Sequence, residues 1–222
     1  MRVRPRRAGR QRRDAGVHHA GDEIKDLERL LDRARIKPPY VLVGHSYGGL
    51  LARLFAHAHP DQTGGMVLVD AVGRDDWQRG LAAWPKWLEP KLRRESGFTQ
   101  PVVDGVDLRA SSALASHIRS LGDLPLVVIS AAHERELFTG APPRLYRRAM
   151  RFWRTMQNEL ATLSSDHAHA VALRSDHFVQ RASEQPDVVI RAIRAVTRAV
   201  RDNDQLPPCT RTFSAPAVRC LS

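Results

Sequence analysis

Tyr40-Val41-Leu42-Val43-Gly44-His45-Ser46-Tyr47-Gly48-Gly49-Leu50-Leu51-Ala52-Arg53 is the stretch that decides the fold. An apolar run of strand character ends at a glycine-flanked serine, and a helical stripe of Leu50, Leu51, Leu54, Phe55 and Ala58 follows before Pro60 stops it. A G-x-S-x-G pattern between a buried strand and a helix puts the serine on a sharp, strained turn whose neighbours must be small. Gly44 and Gly48 are expected to supply that room. The turn lifts the Ser46 hydroxyl out of the sheet, while the Tyr47 amide, at the positive end of the helix, points to where an oxyanion would form. Ser46 reads as a nucleophile.

Working outward, Asp22 caps a helix with Ile24, Leu27, Leu30, Leu31 and Ala34 on its apolar face, and Pro38-Pro39 ends it. Downstream, Met66-Val67-Leu68-Val69 ends at Asp70, Leu126-Val127-Val128-Ile129 ends before Ser130, and Ala170-Val171-Ala172-Leu173 is a weaker third run. Continuous apolar runs separated by helices predict parallel strands buried on both faces. Leu145, Ala149, Trp153, Met156, Leu160 and Leu163 predict one helix, and Pro186 begins a last one with Val189, Ile193, Val196 and Val200 inward. Between Ala71 and Asp123 no strand pattern stands out, and Trp77, Leu81, Trp84 and Leu88 fall at helical intervals. There are no internal repeats.

From Val41-Leu-Val-Gly-His-Ser-Tyr-Gly-Gly-Leu-Leu-Ala-Arg53 the chain resembles the esterase- and lipase-like members of the α/β-hydrolase superfamily, over about Asp22 to Arg201. The resemblance implies an α/β fold: a mostly parallel sheet with helices on both faces and a helical cap over about 72–122. The domain is then 22–203, preceded by a basic, disordered arm over 1–21 and followed by a cysteine-containing tail over 204–222. Trp84 and Trp87 would lie in the cap, where an aromatic stripe packs a core or lines an acyl pocket.

The resemblance also implies a triad in the order Ser, then Asp or Glu, then His. A serine hydroxyl is a weak nucleophile at neutral pH and needs a base. His177 fits, in the loop Ser175-Asp176-His177-Phe178 between the last strand run and the final helix, although many relatives have Gly where this chain has Asp176. Two residues compete as the acid that orients it. Asp70 ends the strand run Met66–Val69 with no slack, whereas Glu134 follows Leu126–Ile129 in the charged segment Ala132-His133-Glu134-Arg135-Glu136, expected to be solvated. Rigidity favours Asp70.

Upstream the pattern departs from the superfamily, whose members have several strands and a His-Gly loop before the elbow. His18-His19-Ala20-Gly21 follows no apolar strand, so the fold is expected to lack its N-terminal strands. Two readings remain: a serine hydrolase cleaving a small-molecule ester through an acyl-enzyme, and a non-catalytic fragment or interaction module.

Composition narrows the partners. At 222 residues and 42% hydrophobic the chain can bury one sizeable core. The net charge of +11 is concentrated in Arg2, Arg4, Arg6, Arg7, Arg10, Arg12 and Arg13, which precede the first acid, with no interleaved aromatics and no nucleic-acid motif. No nucleic acid, membrane span, cofactor or metal is expected; Cys209 and Cys220 lack the neighbouring ligands of a zinc site. Those cysteines are either free thiols or a disulfide. With no secretory signal the location expected by default is cytoplasmic; a longer N-terminus together with a Cys209–Cys220 bond would indicate secretion.

Overall fold

The computed structural model describes residues 16–73, 79, 102–134 and 142–221. In chain order the elements are α1 (Ala20–Ala34), β1 (Tyr40–His45), α2 (Tyr47–Ala58), a short 3-10 turn (Pro60–Gln62), β2 (Thr63–Val69), β3 (Val102–Val103), β4 (Val106–Asp107) and α3 (Leu108–Ala115). Then follow β5 (Leu126–Ala131), α4 (Pro143–Ala161), β6 (His167–Ala172), α5 (Pro186–Asp202), α6 (Cys209–Thr212) and β7 (Val218–Leu221).

The apolar runs form one sheet in the order β1-β2-β5-β6-β7, parallel from β1 to β6, with β7 antiparallel on β6. Alternate residues feed two cores. Val67, Val127, Ile129, Ala168 and Ala170 pack against Val188, Ala192 and Val196 of α5. Met66, Leu68, Leu126 and Val128 face Ala52 and Ala56 of α2 and Leu160 of α4 on the other side. Burial on both faces is what the unbroken apolar runs required, at roughly 25 cal/mol for each Å² of apolar surface removed from water. Among the described residues β1 is an edge of the sheet, and Val43 on it is exposed.

Several boundaries differ from expectation. Helix α1 starts at Ala20, and its cap is His19 rather than Asp22: the His19 ring accepts from Gly21 N, and Asp22 reaches back to His19 N at 3.1 Å. His18 is tied to the β3–β4 hairpin, donating to Gly105 O at 2.9 Å and accepting from Asp107 N at 2.7 Å. Residues 18–21 therefore belong to the packed domain, and Ala20 is fully buried. The stretch after Ala71 contains that hairpin as well as α3, so it is not purely helical; Trp84 and Trp87 lie outside the described residues.

Strand β6 begins three residues before its apolar run. His167 and His169 break the run, yet His169 is buried and hydrogen-bonds Ser130 from within the sheet. The C-terminal segment is likewise part of the fold. Cys209 and Cys220 form a disulfide, with Cα atoms 5.8 Å apart, that fastens β7 to α6.

Candidate active site

The elbow has the geometry its sequence requires. Ser46 sits at φ 53° and ψ −123°, a region that non-glycine residues seldom occupy and that costs about 1–3 kcal/mol. Flanking hydrogen bonds hold it there: Ser46 N donates to Val69 O at 3.1 Å, and Ser46 O accepts from Gly49 N at 3.0 Å and Val72 N at 3.1 Å. The need for glycine falls on Gly44 and Gly49. A Cβ at Gly44 would stand 2.4 Å from Gly48 O, and one at Gly49 would stand 2.4 Å from Ala71 Cβ, whereas a Cβ at Gly48 would meet nothing within 4 Å. The role expected of Gly48 thus belongs to Gly49.

Tyr47 leads α2, where an amide has no partner within its own helix. Its side chain is anchored away from the turn, with the hydroxyl donating to Glu23 Oε2 at 2.7 Å beside Ser111 Oγ at 3.3 Å. Burial, and then Glu23, push the phenol well above its usual range against the opposing effect of the Ser111 hydroxyl.

Asp70 follows β2 directly and is fully buried. Its Oδ1 accepts from Ala131 N and Trp153 Nε1, both at 2.9 Å, and its Oδ2 lies 2.7 Å from Nδ1 of His177. Glu134, one loop beyond β5, is also fully buried, with Oε1 3.5 Å from the same Nδ1. The expected solvation of Glu134 is therefore wrong: the loop folds inward, and Glu134 N donates to Tyr146 OH of α4 at 3.3 Å. The two competing acids converge on one imidazole.

His177 is 5% exposed, in the turn after β6. Asp176, standing where relatives have glycine, accepts from His177 N at 2.9 Å and so steadies the turn with its own side chain. Gln185 braces the base of the loop, accepting from Arg174 N at 2.8 Å and donating to Ala217 O at 3.1 Å. His45, the residue before Ser46, packs its ring against that of His177 at 4.6 Å between centroids, the planes tilted by 49°. Since β1 and β2 pair in register from His45 to Val69, Ser46 and Asp70 leave adjacent strand ends. Ser46, Asp70, Glu134 and His177 thus all emerge at the carboxyl ends of the parallel strands, where open α/β sheets place their ligand sites.

Electrostatics follow from this enclosure. Burial opposes charge on Asp70, but the Glu134 carboxyl, His177 and Trp153 outweigh it and hold Asp70 below its usual range. Burial, and then the Asp70 charge, push Glu134 up to about 9. Burial also opposes charge on His177, yet hydrogen bonds to the two carboxyls raise it above an ordinary imidazole. His45 is lowered to about 4 by burial and by the neighbouring His177. Asp70, Glu134 and His177 are in addition the described group whose ligand-type atoms lie within 4.8 Å of one another. Three donors already occupy the Asp70 oxygens.

Sequence reasoning missed His45 and Trp153 as parts of this site. Trp153 looked like any core residue of an amphipathic helix, and His45 was simply the variable position of the elbow motif.

Residues 19–159 match the family model described as alpha/beta hydrolase fold, and the chain belongs to that family. It is 28% identical over 177 residues to the YqjL protein of Bacillus subtilis, covering 78% of this chain and 63% of that protein, so it spans less than two thirds of this relative. Over a shorter stretch of 82 residues it is 35% identical to the lipase LipV of Mycobacterium tuberculosis, covering 34% of this chain and 31% of the lipase. Its fold is similar to the crystal structure of a "probable hydrolytic enzyme" from Pseudomonas aeruginosa, with TM-score 0.56, 17% identity, and coverage of 84% and 72% of the two chains.

Proposed function

We propose that the protein is a serine hydrolase that cleaves a carboxylic ester through an acyl-enzyme. The observation that carries this reading is the strained Ser46 elbow beside the buried Asp70–His177 pair. Ser46 Oγ attacks the ester carbonyl carbon while Nε2 of neutral His177 takes the hydroxyl proton. The Tyr47 amide donates to the oxyanion, and Asp70, bonded to Nδ1, fixes the tautomer and stabilises the imidazolium. Collapse expels the alcohol with the proton from His177, and water attacks the acyl-enzyme by the same path.

The likeness to a lipase supports an ester as the bond cleaved. Against the alternative of a non-catalytic module stands the cost of keeping a strained serine and buried charges where no chemistry uses them. The Cys209–Cys220 bond supports an oxidising location. No helix among the described residues is long and apolar enough to cross a membrane.

The test is labelling by a fluorophosphonate probe. Wild-type protein should label at one serine, and Ser46→Ala should abolish labelling and p-nitrophenyl ester hydrolysis with unchanged circular dichroism. Wild-type labelling by the Ser46→Ala protein would remove the assignment.

A further inference from the structure

Two fully buried carboxyls around one imidazole are one charge more than a triad needs. Asp70 is the solvated one of the two, in the sense that both oxygens have donors: Ala131 N and Trp153 Nε1 on Oδ1, and His177 on Oδ2. Glu134 has the opposite situation. As an acceptor, neither of its oxygens finds a hydrogen-bond donor among the described residues, and its nearest polar neighbour on the imidazole is at 3.5 Å. An ionised carboxylate in such a place loses its hydration, gains no hydrogen bond and faces a second negative charge, and the imidazole at 3.5 Å offsets this only in part. A proton on Glu134 relieves these penalties, because the acid can then turn towards Asp70, whose carboxyl lies within 4.8 Å.

We propose that Glu134 is a neutral carboxylic acid in the working enzyme, a positioning residue that shares its proton with Asp70 and stands in reserve as the orienting acid. The inference rests on the reading of Asp70 and His177 as orienter and base. The upward displacement of Glu134 to about 9, caused first by burial and then by Asp70, agrees with it. The titratable and charged groups facing the pair leave this state intact. His45 on β1 is held neutral by burial. Asp176 and Arg181 belong to the His177 loop, with Arg181 stacked on Phe178 at 3.5 Å. His133 adjoins Glu134 with its backbone bound to Ser175 O, and Tyr146 accepts from Glu134 N.

Neutrality has a distinctive consequence. Glu134→Gln replaces an acid by an isosteric neutral group, whereas Asp70→Asn removes the like charge that keeps Glu134 protonated. In the Asp70→Asn protein Glu134 ionises and takes over Nδ1.

The experiment measures the rate of Ser46 fluorophosphonate labelling in the full chain for wild type, Glu134→Gln, Asp70→Asn and the double variant. Glu134→Gln, which loses the shared proton but keeps a neutral donor beside Asp70, should slow labelling only severalfold. Asp70→Asn should fall by about a hundredfold, short of the roughly ten-thousandfold that an amide costs when no second carboxyl is at hand, and the double variant should show that full loss. A Glu134→Gln protein as slow as Asp70→Asn, or a double variant no slower than Asp70→Asn, overturns the proposal. Infrared spectroscopy of wild-type protein carrying carboxyl-isotope-labelled glutamate is the second arm, and it does not depend on any variant folding. A shifted carbonyl band of a protonated glutamate at neutral pH is expected; its absence overturns the proposal. Unlabelled wild-type protein would instead count against Ser46 as the nucleophile, while the infrared arm still decides the state of Glu134.

Discussion

His45 Nε2 donates to the backbone oxygen of His177 across 2.9 Å, joining the residue before the elbow serine to the loop that carries His177. A carbonyl oxygen only accepts, so the bond fixes His45 with its proton on Nε2. Burial keeps that ring neutral above about pH 4, so the bond persists through the working range. A neutral hydrogen bond is worth about 0.5–1.5 kcal/mol net. His45→Ala should therefore lower kcat by about tenfold with KM little changed, because the bond positions the base rather than the substrate. His45→Gln, which can still donate to the carbonyl, should recover most of the loss. A KM effect equal in both variants would contradict this account.

Asp70 depends on Trp153 in the same way. The indole N–H bonds Oδ1 at 2.9 Å with both groups buried. Trp153→Phe retains most of the packing but deletes the donor, and a hydrogen bond to a charged group is worth about 1.5–3 kcal/mol. Thermal unfolding should register a loss of that order, with a fall in kcat as Asp70 becomes harder to ionise. Unchanged stability would mean that a rearranged donor or water replaces the indole.

The elbow glycines should separate cleanly. Gly49→Ala drives a methyl into Ala71 across a packed backbone and should cost about 1–3 kcal/mol, with loss of Ser46 labelling. Gly48→Ala meets open space in a helix and should be neutral or stabilising by up to about 1 kcal/mol. Denaturant midpoints of the two variants decide it, and an equal penalty at both positions would undo the contrast.

The disulfide is a matter of chain entropy. Cys209 and Cys220 are 11 residues apart, and closing a loop of that size restricts the unfolded chain by about 3 kcal/mol. Cys209→Ala with Cys220→Ala should lower stability by about that amount and loosen β7, whose neighbour Ala217 accepts from Gln185 at the base of the His177 loop. Hydrogen exchange at β6 and β7 would show it; full protection in the double variant would not fit.

How much of this was legible in the sequence depended on whether a residue's role was local. The elbow, the parallel strands and His177 could be read because each rests on a short pattern: an apolar run, a glycine-flanked serine, a loop before a helix. Strand β6 was blurred because His169 is buried through a partner, Ser130, on another strand. Strand β7 was invisible, since four residues with a cysteine give no periodicity of their own and owe their pairing to β6 and the disulfide. The convergence of Asp70 and Glu134 was only half legible. Both positions were named as alternatives, but a charged segment such as Ala132–Glu136 does not announce that one of its carboxyls turns inward.

The buried group of Asp70, Glu134 and His177 also sets a pH dependence whose sign can be worked out. For His177, burial opposes the charge but Asp70 and Glu134 outweigh it, raising its value from 6.5 to about 10. A group raised in the folded state contributes stability that is full below its unfolded value and is lost as pH climbs through the folded one. For Glu134, raised by burial and by Asp70 from 4.5 to about 9, the contribution likewise declines on the alkaline side. Asp70 is depressed below 3.8, so its contribution is present above that value and disappears as pH falls through the folded one. Stability should therefore be greatest between about pH 3.8 and 4.5, start to fall above 4.5 as the Glu134 contribution declines, and fall further between pH 6.5 and about 10. Activity should move the other way, because only neutral His177 accepts the Ser46 proton, so kcat/KM rises with pH over the same span. Asp70→Asn combined with Glu134→Gln should shift that limb back towards 6.5 by removing both carboxyls that hold the proton. Denaturant unfolding and ester hydrolysis across a pH series measure both, and a kcat/KM limb at the same pH in wild type and the double variant would show that the two carboxyls do not set the charge state of His177.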